Sequence, residues 1–192
     1  MMRFKEDISK EEIAGYEVMA FDGKIVCIDS PDQVDEAMNY LWNSSYVGFD
    51  TETKPSFRKG ENNRVSLLQL SVDGHAFLFR LNRVGLPDKL ARFLSSESVI
   101  KVGVAIRDDI KALRQLNNFE PGGFIDLQEM VRDYGILSSG LKKLSAIVLG
   151  HSISKRQQVS NWENESLTQA QQVYAATDAW VCMKIYEKLL NS

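Results

Sequence analysis

Two carboxylates placed two residues apart are the first candidates for chemistry in this sequence. Asp50 and Glu52 end an apolar segment, 46–52, that predicts a buried strand. Because side chains alternate across a strand, both carboxylates point to the same side. Two acids at the edge of a core repel each other unless a cation lies between them, and Mg²⁺ and Mn²⁺ prefer carboxylate oxygens. A solvated strand end is the alternative interpretation.

Asp109 is the third candidate acid. It follows a nearly continuous apolar run, 98–106, which is typical of a strand covered on both faces, and it falls in the first turn of the next predicted helix. In open α/β sheets, ligands bind at the carboxyl ends of the strands. An aspartate in a first helical turn also complements the helix dipole, so this position alone does not establish a site.

Tyr174 and Asp178 lie four residues apart on the last predicted helix, so they project from the same face. Val181 continues that face, which indicates that it is turned toward the protein. A buried aspartate needs a partner, and a cation fits that need. A hydrogen bond between the tyrosine and the aspartate at the margin of the core is equally consistent.

Charge is distributed unevenly along the chain. The whole sequence has a net charge of −3, and residues 1–50 hold eleven acidic and four basic residues. The segment 136–162 has no acidic residue and contains the basic residues Lys142, Lys143, Lys155 and Arg156. This segment is either a strip that faces phosphates or a solvated helix face and loop.

The other apolar segments predict the elements that position these residues. Strands are predicted over 24–29, 46–52, 64–71, 75–81, 98–106 and 124–127, and helices over 31–42, 87–94, 108–116, 128–134, 141–149 and 169–190. Asp73-Gly74 predicts a hairpin, and Thr168 with Gln171 predicts a capping box for the last helix. A hairpin followed by alternating strands and helices indicates an α/β fold with a mixed central sheet. No repeat or linker divides the chain, so a single domain is predicted over 1–192.

Composition and cysteine content exclude several classes of protein and indicate a cellular compartment. Hydrophobic residues make up 44% of the chain and charged residues 26%, which excludes a disordered or collagen-like chain. No apolar run reaches the roughly 20 residues of a membrane span, and the first residues lack the apolar region of a secretory signal. Cys27 and Cys182 are expected to be buried free thiols, so we expect a cytoplasmic protein that is not bound to a membrane. The oligomeric state stays open.

Together, these acids resemble the DEDD superfamily of 3′→5′ exonucleases, in its tyrosine-containing branch. The three exonuclease motifs are matched in order by 47–52 (VGFDTE), 102–109 (VGVAIRDD) and 174–179 (YAATDA). Supporting matches are 66–71 (SLLQLS), 124–127 (FIDL) and 160–162 (SNW). The resemblance covers about residues 25–190 and is strongest to ribonuclease D and Werner-syndrome-type exonuclease domains. It implies a ribonuclease H-like fold, with the mixed central sheet flanked by helices.

The resemblance also implies a mechanism. Similar enzymes bind two divalent cations, Mg²⁺ or Mn²⁺, and displace the leaving oxygen in line at phosphorus. By this resemblance Asp50, Glu52 and Asp178 hold one cation, and Asp50 and Asp109 hold the other. Tyr174 orients the attacking water and helps to remove its proton, with the metal doing most of the acidification. The expected substrate is a nucleic acid with a free 3′ end, and the product is nucleoside 5′-monophosphates.

Register with the Werner-type domains selects Asp109 over Asp108 for the second motif, which leaves Asp108 as the expected helix cap. The candidates for contacts with backbone phosphates are Lys142, Lys143, Lys155 and Arg156. Trp162 is interpreted as a core residue, with stacking on a base as the alternative.

Other functions stay open at this point. The Werner-type resemblance slightly favours DNA, but an RNA-processing exoribonuclease of ribonuclease D type would have the same catalytic residues. A catalytically idle nucleic-acid-binding module is expected to have lost at least one acid, whereas all four acids and the tyrosine are present. A metal-stabilised interaction domain suits the acidic first quarter of the chain, but it leaves Tyr174 without a purpose.

Overall fold

A computed structural model describes residues 4–56 and 63–192. The prediction of one domain over 1–192 also includes residues 1–3 and 57–62, which lie outside the described residues. The strands are β1 Lys24–Ile28, β2 Tyr46–Thr53, β3 Val65–Val72, β4 His75–Arg80, β5 Ile100–Gly103 and β6 Phe124–Asp126. The α-helices are α1 Lys10–Ala14, α2 Pro31–Trp42, α3 Leu81–Val84, α4 Asp88–Ser95, α5 Arg107–Arg114, α6 Leu127–Met130, α7 Leu141–Leu144 and α8 Gln169–Leu190.

Within the described parts of the chain, the strands form one mixed sheet of six in the order β1-β4-β3-β2-β5-β6. Neighbours β2, β3 and β4 are antiparallel. Strand β1 pairs with β4 in parallel, and β2, β5 and β6 form a second parallel set. The predicted α/β fold with a mixed central sheet is confirmed. The carboxyl ends of β2, β5 and β6 therefore lie side by side at one edge of the sheet.

Helices cover both faces of the sheet. On one face α8 crosses the strands, and Val181 packs against Val102 of β5 in a buried cluster. On the other face, Phe49 of β2 belongs to a larger cluster that includes Leu41 of α2 and Phe93 of α4. The sheet is therefore buried on both sides, which accounts for the nearly unbroken apolar runs of its central strands.

The N-terminal segment contains an element that the sequence did not predict. The short helix α1 begins after Ser9, whose hydroxyl accepts a hydrogen bond from the amide of Glu12 in a capping box. Beyond α1, the amide of Met19 donates to the carbonyl of Ser152 at 2.9 Å, and the amide of Ser152 donates to Glu17 at 2.9 Å. These bonds fasten the segment to the loop that precedes Lys155.

Several predicted boundaries are wrong, for local backbone reasons. The strand predicted over 98–106 ends at Gly103, because the chain turns at Ala105, where φ is 58°. The helix predicted over 128–134 is α6 followed by a 3₁₀ turn, Val131–Tyr134, that ends at Gly135 in the left-handed region. The helix predicted over 141–149 is α7 followed by a π-helical turn, Ser145–Leu149.

Both cysteines are free thiols in the described structure. Cys182 is buried as expected, whereas Cys27 is half-buried on the edge strand β1. No helix among residues 4–56 and 63–192 combines the length and apolar character needed to cross a membrane.

Candidate active site

Three carboxylates come together where β2 ends. Asp50, Glu52 and Asp178 each offer one oxygen, and these three oxygens lie within 4.8 Å of one another. Asp178 is only 7% exposed, and its Oδ1 has no hydrogen-bond partner among the described residues. Two of these carboxylates are half-buried and the third is buried. Together with the unpartnered oxygen, this set fits a hard divalent cation such as Mg²⁺ or Mn²⁺.

A glycine lets α8 bring Asp178 to this place. A Cβ atom on Gly48 would lie 1.8 Å from the carbonyl oxygen of Ala179, so only glycine allows the helix backbone to touch β2 here. Asp178 precedes Ala179 on α8, and Asp50 follows Gly48 by two residues on the same face of β2. The close contact between backbones therefore sets the distance between the strand acids and the helix acid.

Asp109 approaches the site from α5, which follows β5 at the same edge of the sheet. It is half-buried and accepts a hydrogen bond from the hydroxyl of Thr51, the residue between the two strand acids. Asp108 is exposed. The expectation that Asp108 caps the helix is wrong, because the N-cap position is Ile106 and no side chain caps it. Asp108 lies in the first turn instead, where the chain has already become helical.

Burial and mutual repulsion make these acids hard to ionise. Burial raises the pKa of Asp50 well above its usual range, and the charges of Asp178, Glu52 and Asp109 raise it further. Burial also raises the pKa of Glu52 to about 8, with added repulsion from Asp178 and Asp109. Without a counter-charge, the cluster therefore holds protons near neutral pH, and a bound cation would replace them.

Tyr174 lies one turn before Asp178 on α8 and is buried. Burial, together with the negative charge of Asp178, raises the pKa of the Tyr174 hydroxyl above its usual value, so the phenol stays protonated. Burial also raises the pKa of Asp178 to about 7, although a hydrogen bond from Tyr174 and the positive charge of Lys155 oppose that rise. The protonated Tyr174 hydroxyl can therefore donate a hydrogen bond, and its raised pKa does not support the help in removing a proton that the resemblance implies.

Trp162 is fully buried, with its ring centroid 5.9 Å from that of Tyr174. The interpretation of Trp162 as a core residue is confirmed. The two rings are tilted by 33° relative to each other, so the indole packs beside the tyrosine. Because Trp162 is fully buried, it has no exposed face on which a base could stack.

The four basic residues predicted to contact phosphates are dispersed. Lys155 lines a cavity of about 220 Å³ that also contains the three clustered acids and Tyr174. Arg156 lines a different cavity, together with residues of the N-terminal segment such as Met19. Lys143 forms an ion pair with Asp7 at 2.7 Å, and Lys142 is half-buried on α7. The structure thus brings one of the four basic residues to the acids.

Sequence reasoning missed two polar residues beside the acids. Thr51 lies within the matched segment 47–52 without a predicted role, although its hydroxyl donates a hydrogen bond to Asp109. Asp126 was included in a matched motif without any role, yet its carboxylate accepts backbone hydrogen bonds from the turn that leads into α5. A short polar residue at the carboxyl end of a strand was the sequence feature common to both.

Comparison with known proteins gives the family. Residues 25–192 match the family model described as 3′-5′ exonuclease. The chain belongs to the 3′-5′ exonuclease family. The matched region runs from β1 to the end of the chain and contains all five predicted catalytic residues. The predicted membership of the DEDD exonuclease superfamily is confirmed.

Individual relatives agree with this exonuclease assignment. The mouse (Mus musculus) bifunctional 3′-5′ exonuclease/ATP-dependent helicase WRN is 32% identical over 157 residues, covering 79% of this chain and 11% of that protein. The chain therefore spans about a tenth of the length of this curated relative.

Solved structures show the same fold. The Nibbler EXO domain of Aedes aegypti superposes with a TM-score of 0.82 at 24% identity, over 91% of this chain and 92% of that chain. Escherichia coli RNase D, an exoribonuclease involved in structured RNA processing, superposes with a TM-score of 0.79 at 22% identity, over 88% of this chain and 44% of that chain. The predicted ribonuclease H-like fold is confirmed.

Proposed function

We propose that this exonuclease domain removes nucleotides from the free 3′ end of a nucleic acid strand and releases nucleoside 5′-monophosphates, using two divalent cations. The observation that carries the proposal is the set of three carboxylate oxygens within 4.8 Å of one another at the end of β2. Two further observations support the proposal: the charge of Asp109 raises the pKa of Asp50, and Tyr174 lines the same cavity as the three acids.

The donor set divides between two cations in this proposal. Asp50, Glu52 and Asp178 would hold one, and Asp50 with Asp109 would hold the other. Mg²⁺ or Mn²⁺ at these positions would neutralise the phosphodiester and lower the pKa of the water that attacks it. The raised pKa values of the clustered carboxyls support cation binding at this site, because carboxylates that repel one another gain from a positive charge between them.

The other residues bind and orient the substrate. The Tyr174 hydroxyl, which stays protonated, orients the attacking water by a hydrogen bond. Lys155 lies on the rim of the same cavity and contacts a phosphate of the strand. The water oxygen forms a bond to phosphorus and loses a proton to solvent. The bond from phosphorus to the 3′ oxygen of the preceding nucleotide breaks, and that oxygen takes up a proton from solvent. The mononucleotide leaves with the phosphate, and the shortened strand keeps a 3′ hydroxyl.

We propose DNA as the substrate. The resemblance of the three motifs to Werner-type exonuclease domains supports this choice, and the WRN exonuclease/helicase is 32% identical over 157 residues. An RNA substrate would require the same catalytic groups, so the test must include both nucleic acids.

The test is digestion of DNA and RNA oligonucleotides of matched sequence with Mg²⁺ or Mn²⁺. A 5′-labelled DNA should shorten to a ladder, a 3′-labelled DNA should release labelled mononucleotide from the start, and circular single-stranded DNA should stay intact. Asp178→Asn should abolish the products, whereas Asp133→Asn, which changes an exposed acid, should not. Cleavage of the circle would contradict the exonuclease, faster digestion of RNA would contradict the DNA preference, and binding without products would indicate an idle module.

A further inference from the structure

The connection between β5 and α5 has an unusual backbone. Ala105 has a φ of 58°, and the other described residues with positive φ are all glycines. An L-residue in this region meets steric resistance, because its Cβ approaches its own backbone. Ala105 is also exposed, so packing of its side chain does not hold it there. Some other contact must stabilise the turn.

Asp126 supplies that contact. It ends β6 and pairs with Gly103, the last residue of β5. Its Oδ1 accepts a hydrogen bond from the amide of Ala105 at 3.0 Å, and its Oδ2 accepts one from the amide of Ile106 at 3.2 Å. The same Oδ1 accepts from the amide of Gln128 at 2.9 Å, as the N-cap of α6. One carboxylate thus accepts hydrogen bonds from backbone amides of the β5–α5 connection and of the first turn of α6.

The turn determines where Asp109 lies. Helix α5 begins at Arg107, directly after the two amides that Asp126 binds, and Asp109 is in its first turn. The two turn amides donate to different oxygens of the same carboxylate, so one side chain orients both peptide groups. The two bonds therefore set the direction in which α5 leaves the sheet, and the Thr51 hydroxyl then meets Asp109 at the edge of the acid cluster.

We propose that Asp126 is a positioning residue for the exonuclease reaction. By holding the left-handed turn at Ala105, it places the Asp109 carboxylate against the acids of β2. This inference rests on the proposed function, because its consequence for turnover requires that Asp109 take part in the reaction. Asp126 is not part of the set of three clustered carboxylates, and its hydrogen bonds are to backbone amides.

Two substitutions separate this role from simple stabilisation. Asp126→Ser keeps a good N-cap for α6, since serine caps helices well, but its single oxygen cannot bind both turn amides. Ala105→Gly makes the left-handed conformation readily available without the carboxylate. Asp126→Ser should lower kcat by about 10- to 100-fold, as expected for a small displacement of a catalytic group, with KM changed less than about twofold. Adding Ala105→Gly should restore kcat by about fivefold, the factor expected from removing a backbone cost of this kind.

The same variants should be examined by hydrogen exchange of the full-length chain, measured by NMR at the Ala105 and Ile106 amides. These amides should be protected in the wild type and should exchange faster in Asp126→Ser. Unchanged protection, or faster exchange with a normal kcat, would overturn the proposal. It would also be overturned if Ala105→Gly failed to restore kcat while the folded content, followed by circular dichroism, stayed normal. A wild type inactive on every substrate would defeat the proposed function, and the exchange data would still show separately whether Asp126 holds the turn.

Discussion

Asp108 and Asp109 are adjacent, yet their surroundings assign them different roles. Asp109 is half-buried, receives the Thr51 hydroxyl, and raises the pKa of Asp50 through its charge. We expect Asp109→Asn to lower kcat by at least about 10²-fold, because the second cation would lose one of its two proposed carboxylate ligands. Asp108→Asn should leave turnover nearly unchanged and cost about 0.3–1 kcal/mol, the usual value of a charge in a first helical turn. Turnover and urea midpoints of both variants check this, and the reverse order would mean that the second motif is displaced by one residue.

Tyr174 allows chemistry to be distinguished from packing. Tyr174→Phe removes the hydroxyl and keeps the ring against Trp162, so α8 should pack as before. If the hydroxyl orients the attacking water, kcat should fall by about 10²–10⁴-fold with little change in substrate affinity. Because burial keeps the phenol protonated, the variant should not remove a pKa from the pH–rate profile. A loss of about 1 kcal/mol of stability with normal kcat would indicate a purely structural tyrosine.

The contact between α8 and β2 is the element-level feature on which the acid cluster depends. Gly48→Ala would push a Cβ into the Ala179 carbonyl, which is backbone and cannot rotate away. We expect a loss of about 1–3 kcal/mol, as for other overpacked sites, together with weaker metal binding and lower activity, because Asp178 moves away from Asp50. Gly15→Ala is the matched control, since its Cβ would meet only an ordinary contact. Stability is read from the urea midpoint and metal affinity from calorimetry, and equal effects of the two substitutions would contradict this account.

The sequence predicted most of the features that follow from the regular side-chain period of a strand or a helix. Alternation on β2 placed Asp50 and Glu52 on one side, and the four-residue spacing on α8 placed Tyr174 beside Asp178, because both periods are properties of regular backbone. The sheet and its main helices followed from the same periodicities. These features needed no knowledge of the tertiary contacts.

Contacts between distant elements could not be predicted in the same way. The hydrogen bond from Thr51 to Asp109 joins β2 to α5, and the turn at Ala105 depends on Asp126, 21 residues further along the chain. The attachment of the N-terminal segment at Ser152 is also a backbone contact that no side-chain pattern records. Each arises from tertiary packing, which overrides local preference.

At the scale of the whole molecule, part of the acidic first quarter of the chain contacts the basic segment 136–162. Asp7, in the acidic first quarter, pairs with Lys143 and accepts a hydrogen bond from Ser138, both in the basic segment 136–162. Lys155 has no such ion pair among the described residues and remains beside the acids. The basic segment is thus partly neutralised by its own chain, and the positive charge left near the site is local.

Repulsion within the acid cluster should make stability depend on pH. In the folded chain the pKa of Glu52 is about 8 and that of Asp178 about 7, and the pKa of Asp50 is raised as well. Unfolded carboxyls titrate near pH 4, so between about pH 4 and pH 8 the folded chain binds more protons than the unfolded chain. The free energy of unfolding should therefore fall as pH rises through this window. The lowered pKa of Asp7 has the opposite effect on stability, but at pH values below this window. The lowered pKa of Lys101 also has the opposite effect, at pH values above the window.

Divalent cations should reverse this loss. Without them, thermal unfolding should begin at a lower temperature at pH 8 than at pH 5.5, with a stability difference of at least about 1 kcal/mol, since one pKa unit corresponds to about 1.4 kcal/mol. Excess Mg²⁺ or Mn²⁺ should raise the midpoint more at pH 8 than at pH 5.5, because protons compete with cations for the carboxylates. Glu52→Gln removes one of the repelling charges, so it should flatten the pH dependence and weaken stabilisation by the cation. A midpoint independent of pH without cations would show that these carboxylates do not repel one another. Equal stabilisation of wild type and Glu52→Gln by the cation would show that they do not share a cation.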